Sequence, residues 1–151
     1  MPLTEDDLPF LLEIRNECRD SLHDNREFIL PECRAWFRET RPEFYLVRHD
    51  GKRIGYFRTS NRDAASRSIY VGADLHPDFR GLGLARPAYA AFFVVLRIEQ
   101  GVSVVTLEVL SHNTVAYGLY LKLGFTEIER TRAVAVRGGR LVDSIVMLKS
   151  L

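Results

Sequence analysis

Apolar positions recur at helical spacing near the start of the chain. Leu8, Leu11, Leu12, Ile14 and Cys18 share one face of a helix, and Thr4 followed by Glu5, Asp6 and Asp7 supplies its start. The Thr4 hydroxyl is a natural N-cap, and the acids complement the positive end of the helix dipole. Residues 19–30 are polar and irregular and predict a loop, after which Pro31 suits the first turn of a short helix carrying Cys33, Trp36 and Phe37. Beyond Pro42, Phe44–Val47 and Ile54–Phe57 are β-rich runs around His49-Asp50-Gly51-Lys52, a hairpin signal because Asp-Gly tolerates positive φ. Polar residues 59–67 predict a second turn, and Ser68–Leu75 a third strand. A helix then runs to about Gln100, its buried stripe expected at Pro87, Ala91, Val94, Val95 and Ile98, with Gly101 as the stop. Val102–Leu110 is an apolar strand suited to a sheet interior, and Asn113–Leu123 a helix closed by Gly124. Strands over about 126–136 and 141–149 flank Arg137-Gly138-Gly139-Arg140. The order α-α-β-β-β-α-β-α-β-β predicts a mixed α/β sheet without repeats or linkers.

Composition narrows the class without touching the chemistry. A chain of 151 residues suits one domain, 1–151, able to fold without disulfide or metal. Hydrophobic residues at 46% and charged residues at 27% exclude disordered and fibrous classes. With 21 basic against 20 acidic residues, the net charge of +1 lacks the footprint of a nucleic-acid partner. Cys18 and Cys33 are too few for a disulfide scaffold and wrongly spaced for zinc, and the four histidines show no metal-ligand spacing. These features predict a cytoplasmic protein with no metal. The N-terminus has no signal-peptide pattern, and the longest apolar run, Ala88–Leu96, is about half a membrane span, so no membrane partner is expected.

The most informative local feature is a strand, then Arg80-Gly81-Leu82-Gly83-Leu84-Ala85, then a helix. Small residues at 81, 83 and 85 let a backbone approach a ligand, and the amides entering the helix point outward with its dipole, a site for phosphate oxygens. A tight turn without a ligand is the competing reading. A Walker A loop would need Gly-Lys-Ser/Thr, which is absent. A dinucleotide fingerprint needs Gly or Ala at 86, where Arg86 stands, and places its glycine turn after the first strand.

At these residues the chain resembles the GNAT superfamily of N-acetyltransferases. The family's pyrophosphate loop, Gln/Arg-x-x-Gly-x-Gly/Ala, is matched by Arg80, Gly83 and Ala85, and its apolar-x-Pro-x-aromatic run by Leu75-His76-Pro77-Asp78-Phe79. A second block matches downstream: Leu107-Glu108-Val109, Asn113, Ala116, and Leu119-Tyr120-Leu121-Lys122-Leu123-Gly124-Phe125. The resemblance covers residues 43–149 well and the first 40 poorly. It implies a single-domain α/β fold with a mixed, mostly antiparallel sheet flanked by helices. Family members begin with a strand, whereas here the helix cap arrives at Thr4, so the first strand is missing or reduced to Met1-Pro2-Leu3.

The resemblance further implies that acetyl-CoA, as co-substrate, lies between the third and fourth strands, with main-chain contacts at Ala73 and Leu75 and its pyrophosphate on Arg80, Gly81, Leu82, Gly83, Leu84 and Ala85. Asn113 matches a cofactor-contacting asparagine, against plain N-capping. The implied reaction is direct attack of an amine on the thioester in a ternary complex, which requires a base for the amine and a proton for the departing thiolate. Tyr120 matches the family's frequent general acid; without the resemblance it is an aromatic on a buried helix face. Glu108 is the first candidate base, because a charged residue in an apolar strand needs a reason. Its place relative to Tyr120 also resembles members that acetylate protein N-termini. A salt bridge is the competing role for Glu108, and Asp74 or a water relay the competing base. His76 and His112 sit in turn sequences and are expected in solvent. Arg130, Arg132, Arg137 and Arg140 either bind an anionic substrate or line an exposed hairpin. Ile14-Arg15-Asn16 and Trp36-Phe37 resemble members acting on amino sugars. The expected acceptor is a small-molecule amine (amino sugar, amino acid or similar) or a peptide N-terminus, with a homodimer allowed. A non-catalytic acyl-CoA sensor on the same fold is the alternative from a different class.

Overall fold

Leu8, Leu11 and Ile14 turn inward from helix α1 (Leu8–Glu17) in the computed structural model, which describes residues 1–151. The amide and hydroxyl of Thr4 both donate to Asp7 Oδ2, at 3.0 and 3.1 Å, so the acids after Thr4 close a single 3₁₀ turn that leads into the helix. Helix α2 (Leu30–Thr40) has Pro31 in its first turn and ends on Arg41 in the left-handed region, with φ of 45°.

The remaining elements are β1 (Glu43–His49), β2 (Lys52–Asp63), β3 (Ser68–Leu75), α3 (Ala85–Ile98), β4 (Val104–Leu110), α4 (Thr114–Lys122), β5 (Thr126–Arg137) and β6 (Arg140–Ser150). They build one six-stranded sheet in the order β1-β2-β3-β4-β6-β5, in which only β3 and β4 run parallel. The expected mixed, mostly antiparallel α/β architecture is present. Alternation along each strand feeds two cores. Tyr56 joins Leu8, Leu11, Ile14, Cys33 and Phe44 under α1 and α2, while its neighbour Phe57 joins Ile69, Leu96, Val105 and Phe125 under α3 and α4. No helix is long and apolar enough to cross a membrane.

Two expectations need correction. Helix α3 buries Tyr89, Phe92 and Leu96, whereas Pro87, Ala91, Val94 and Ile98 of the expected stripe are exposed. The face that wins is the one whose aromatics fill the sheet: the Phe92 ring stacks on Phe57 at 4.2 Å, and Tyr89 meets the same ring edge-on at 4.9 Å. Strand β2 does not stop before residue 59; it continues to Asp63, paired with β1 as far as Thr59 and with β3 at Ser60 and Asp63. The reduced first strand does pair with the sheet. Leu3 donates its amide to Phe44 O, Leu46 donates to Met1 O, and Pro2 bridges Tyr45, which covers part of the β1 edge.

Candidate active site

Ladder pairing between β3 and β4 lasts for three residues, ending at Tyr70 opposite Thr106. Past that point the strands part, and the face under α1 and α2 opens into a cleft of about 430 Å³. Ala73, Glu108, Asn113 and Tyr120 all line this cleft, together with Asp74. Leu75, Arg80 and the glycine turn lie outside it, at the end of β3.

Tyr120 projects from α4 and is 9% exposed. Its hydroxyl accepts from the Tyr89 hydroxyl at 3.4 Å, which leaves its own proton without an acceptor in the chain. Burial holds the phenol above its ordinary pKa, so it stays neutral and proton-bearing. Tyr89 is a neighbour that the sequence reading of α3 did not single out.

Asp74 stands directly across from Tyr56, whose hydroxyl donates to Asp74 Oδ2 at 2.8 Å. Burial raises the Asp74 pKa, against the opposing pull of the Tyr56 hydrogen bond and of Arg58 and Arg80. A folded pKa above the unfolded value of ~3.9 means that the folded state holds this proton more tightly. The stability so contributed is complete below about pH 4 and is lost as pH rises through the raised value. Asp74→Asn keeps an acceptor for Tyr56 and removes the titration, so its melting temperature should gain on the wild type as pH rises. Melts from about pH 4 to 8 check this, and a constant difference would refute it.

Glu108 is the one exposed residue of β4, with 43% of its side chain accessible, although Thr106 and Leu110 on the same face are buried. Its competing role as a salt bridge is half realised: Oε2 lies 3.4 Å from Nε2 of His23, which also meets Ser144 Oγ at 2.8 Å. His23 comes from the loop between α1 and α2, and that loop is held from several sides. Arg137 donates to the carbonyls of Asp20, Leu22 and His23 at 2.9–3.3 Å. Asn16 exchanges two hydrogen bonds with the backbone of Phe28, and Arg15 donates to the carbonyls of Asp24 and Arg26. Arg15 and Asn16 are therefore loop anchors.

The glycine turn has the backbone its sequence demands. Gly81 and Gly83 have φ of 72° and 73°, a region that a β-carbon disfavours. The amides from Gly81 to Arg86 donate to no group in the chain, and α3 begins at Ala85. Such a row of outward amides at a helix start fits a pyrophosphate. Arg80 is engaged within the chain. Its amide donates to Pro77 O, its Nε to Leu75 O at 3.0 Å and its Nη2 to Cys18 Sγ at 2.7 Å, so the side chain folds back on the end of β3. Burial pushes the Cys18 thiol up to about 12, which keeps it a neutral partner there. Asn113 Oδ1 accepts from the Ala116 amide at 3.3 Å and thus caps α4 while lining the cleft.

Two further candidates resolve differently. His76 is not in solvent: its side chain is 15% exposed, stacks on Phe10 and sits 3.1 Å from Glu13. In the hairpin, Arg130 and Arg132 pair with Asp143, and Arg130 also with Glu127.

Comparison with known proteins agrees with this fold. The chain superposes on a single-site mutant of spermidine N-acetyltransferase SpeG from Vibrio cholerae with a TM-score of 0.87, at 20% identity over 99% of this chain and 93% of that one. For ribosomal-protein-alanine N-acetyltransferase from Brucella melitensis the TM-score is 0.82, at 22% identity over 100% and 98%. The Salmonella typhimurium protein yncA, described as a candidate acetyltransferase and solved with its cofactor acetyl-CoA, gives 0.81 at 21% identity over 100% and 92%. A search of curated protein sequences finds no significant match. The profile of the Acetyltransferase (GNAT) family matches residues 8–125, and the chain belongs to that family of acetyltransferases.

Proposed function

We propose that the protein transfers the acetyl group of acetyl-CoA to a primary amine by direct attack in a ternary complex. The observation that carries this reading is the parting of β3 and β4, which sets Glu108, Asp74 and Tyr120 around one cleft beside a turn of open amides. The splayed part of β3, with Ala73 and Leu75, suits the pantetheine arm, and the amides of Gly81 to Ala85 suit the pyrophosphate. Asn113, with one end committed to the cap, keeps its side-chain amide nitrogen for the same ligand. Arg80 serves by bracing Leu75.

In this reading Glu108 takes the proton of the entering ammonium group, directly or through a water, with His23 fixing its carboxylate. The amine nitrogen bonds to the thioester carbonyl carbon, the tetrahedral intermediate collapses, and the carbon–sulfur bond breaks. The departing thiolate takes the Tyr120 proton and the nitrogen's remaining extra proton restores the phenol, leaving an N-acetylated product and free CoA. The neighbours named for spermidine and for ribosomal-protein alanine both act on amines, and the acceptor here is a small-molecule amine or a protein N-terminus. The free thiols of Cys18 and Cys33 suit a cytoplasmic setting.

Incubation with acetyl-CoA and a panel of amines, following free thiol, tests the reading. Thiol release matched by acetylated amine is expected. Tight CoA binding without turnover on any amine would point to an acyl-CoA sensor, and failure of CoA to bind or to raise the melting temperature would sink both.

A further inference from the structure

Three adjacent strands set Arg58, Gly72 and Glu108 in one row across the floor of the cleft. Arg58 on β2 pairs directly with Gly72 on β3. Two residues beyond the last β3–β4 pair, Tyr70 with Thr106, come Gly72 and Glu108, on the same face and opposite each other across the gap. Gly72 leaves the middle of the row bare, and the Arg58 guanidinium lies over it. A β-carbon at position 72 would stand 3.2 Å from one terminal guanidinium nitrogen and 3.5 Å from Nε.

The charges in the cleft are unevenly matched. Arg26 is paired with Asp24 at 2.7 Å, and Arg15 is held by loop carbonyls. Arg58 has neither an ion pair nor a hydrogen bond within the chain, although it lines the cleft. The acid that feels its field, Asp74, is already bound to the Tyr56 hydroxyl. At the other end of the row stand Glu108 and His23. Leu11, Leu12, Phe28 and Trp36 supply an apolar wall above the floor.

We propose that the acceptor is a small zwitterion of the amino-acid type, its acid group held by Arg58, its amino group directed to Glu108 and His23, and its side chain against the apolar wall. This rests on the reading of the site as an amine acetyltransferase. One inter-strand step of ~4.8 Å separates the backbones of Arg58 and Gly72, the opened gap lies between Gly72 and Glu108, and the guanidinium already covers the middle strand, so the row suits a short bifunctional molecule. A polyamine would bring a second cation to Arg58, and a peptide N-terminus would leave Arg58 without an anion.

The test compares free amino acids bearing apolar side chains with their carboxamides and with spermidine, using the full chain, acetyl-CoA and thiol release. The free acids are expected to exceed the amides in kcat/KM by about 10- to 100-fold, the scale of a charge-assisted hydrogen bond. Arg58→Gln should bring that ratio close to one, chiefly through KM, and Arg58→Lys should leave an intermediate ratio because it keeps the charge and loses the fork. An acetyl-CoA-dependent rise in melting temperature identifies folded variants, and Arg58→Lys carries the test where Arg58→Gln does not fold. Amides or spermidine turned over as well as the acids, or a ratio unmoved by either variant, overturns the zwitterion while leaving acetyl transfer intact. Turnover of no amine at all overturns the underlying reading itself.

Discussion

Replacing Tyr120 by Phe is expected to lower kcat by about 100-fold, the lower end of what a positioned proton donor contributes. The affinity for acetyl-CoA should hardly change. The ring is retained, and with it the edge-on packing against Tyr89 at 6.0 Å and the contact with Phe125 at 5.9 Å, so the substitution removes a hydroxyl and little else. That hydroxyl is the one in the cleft that is neutral, buried and in possession of an undonated proton. Because burial raises its pKa, no alkaline fall in rate from this group should appear below about pH 10. Steady-state kinetics on an accepted amine decide the matter. A kcat within twofold of wild type would return Tyr120 to simple core packing.

The second large effect is expected at Glu108. Glu108→Gln should lower kcat/KM by about 100- to 1,000-fold at neutral pH, as loss of a general base does. The sign of the pH dependence follows from the role. A base must be unprotonated to act, so the wild-type rate falls as pH drops, and Glu108→Gln should lose or displace that acidic limb. Glutamine preserves size and a contact for His23, so the His23–Ser144 hydrogen bond and the loop it belongs to survive. Circular dichroism and the melting temperature check this independently of rate. An acidic limb that stays where it was would hand the base to Asp74 or to a water.

Much of the frame was legible because it is written in short-range patterns. The Asp50-Gly51 turn, the glycine turn that enters α3 and the order of ten elements each depend on residues a few positions apart. The buried face of α3 was not legible in this way. Between Ala88 and Leu96 the helix is apolar almost all round, so periodicity admits more than one phase, and only the rings of Phe57 and Tyr45 across the interface select Tyr89 and Phe92. Strand β2 failed for the opposite reason. Residues 59–67 read as a polar turn, yet pairing with β3 carries the strand on to Asp63, and ladder pairing outweighs composition there.

The site divides along the same line. Glu108, Asp74, Asn113 and Tyr120 were found from local context and do meet at one cleft. His23 and Arg58 reach it from the loop and from β2, and nothing in their neighbours along the chain marks them. Arg58 in particular gains its meaning from the bare Gly72 beside it, a relation that exists only once β2 and β3 have paired.

The grip of Arg137 and Ser144 on residues 20–23 has a consequence for how the protein is made. These contacts join residues more than 110 positions apart, between the loop that follows α1 and the β5–β6 hairpin. Their loop-closure entropy is met only after the intervening sheet exists. During vectorial synthesis the α1–α2 segment therefore waits beside an unfinished sheet, and the cleft closes over late in folding. A nascent chain paused before residue 137 would have its glycine turn and α3 without the cross-links that hold the cleft's roof.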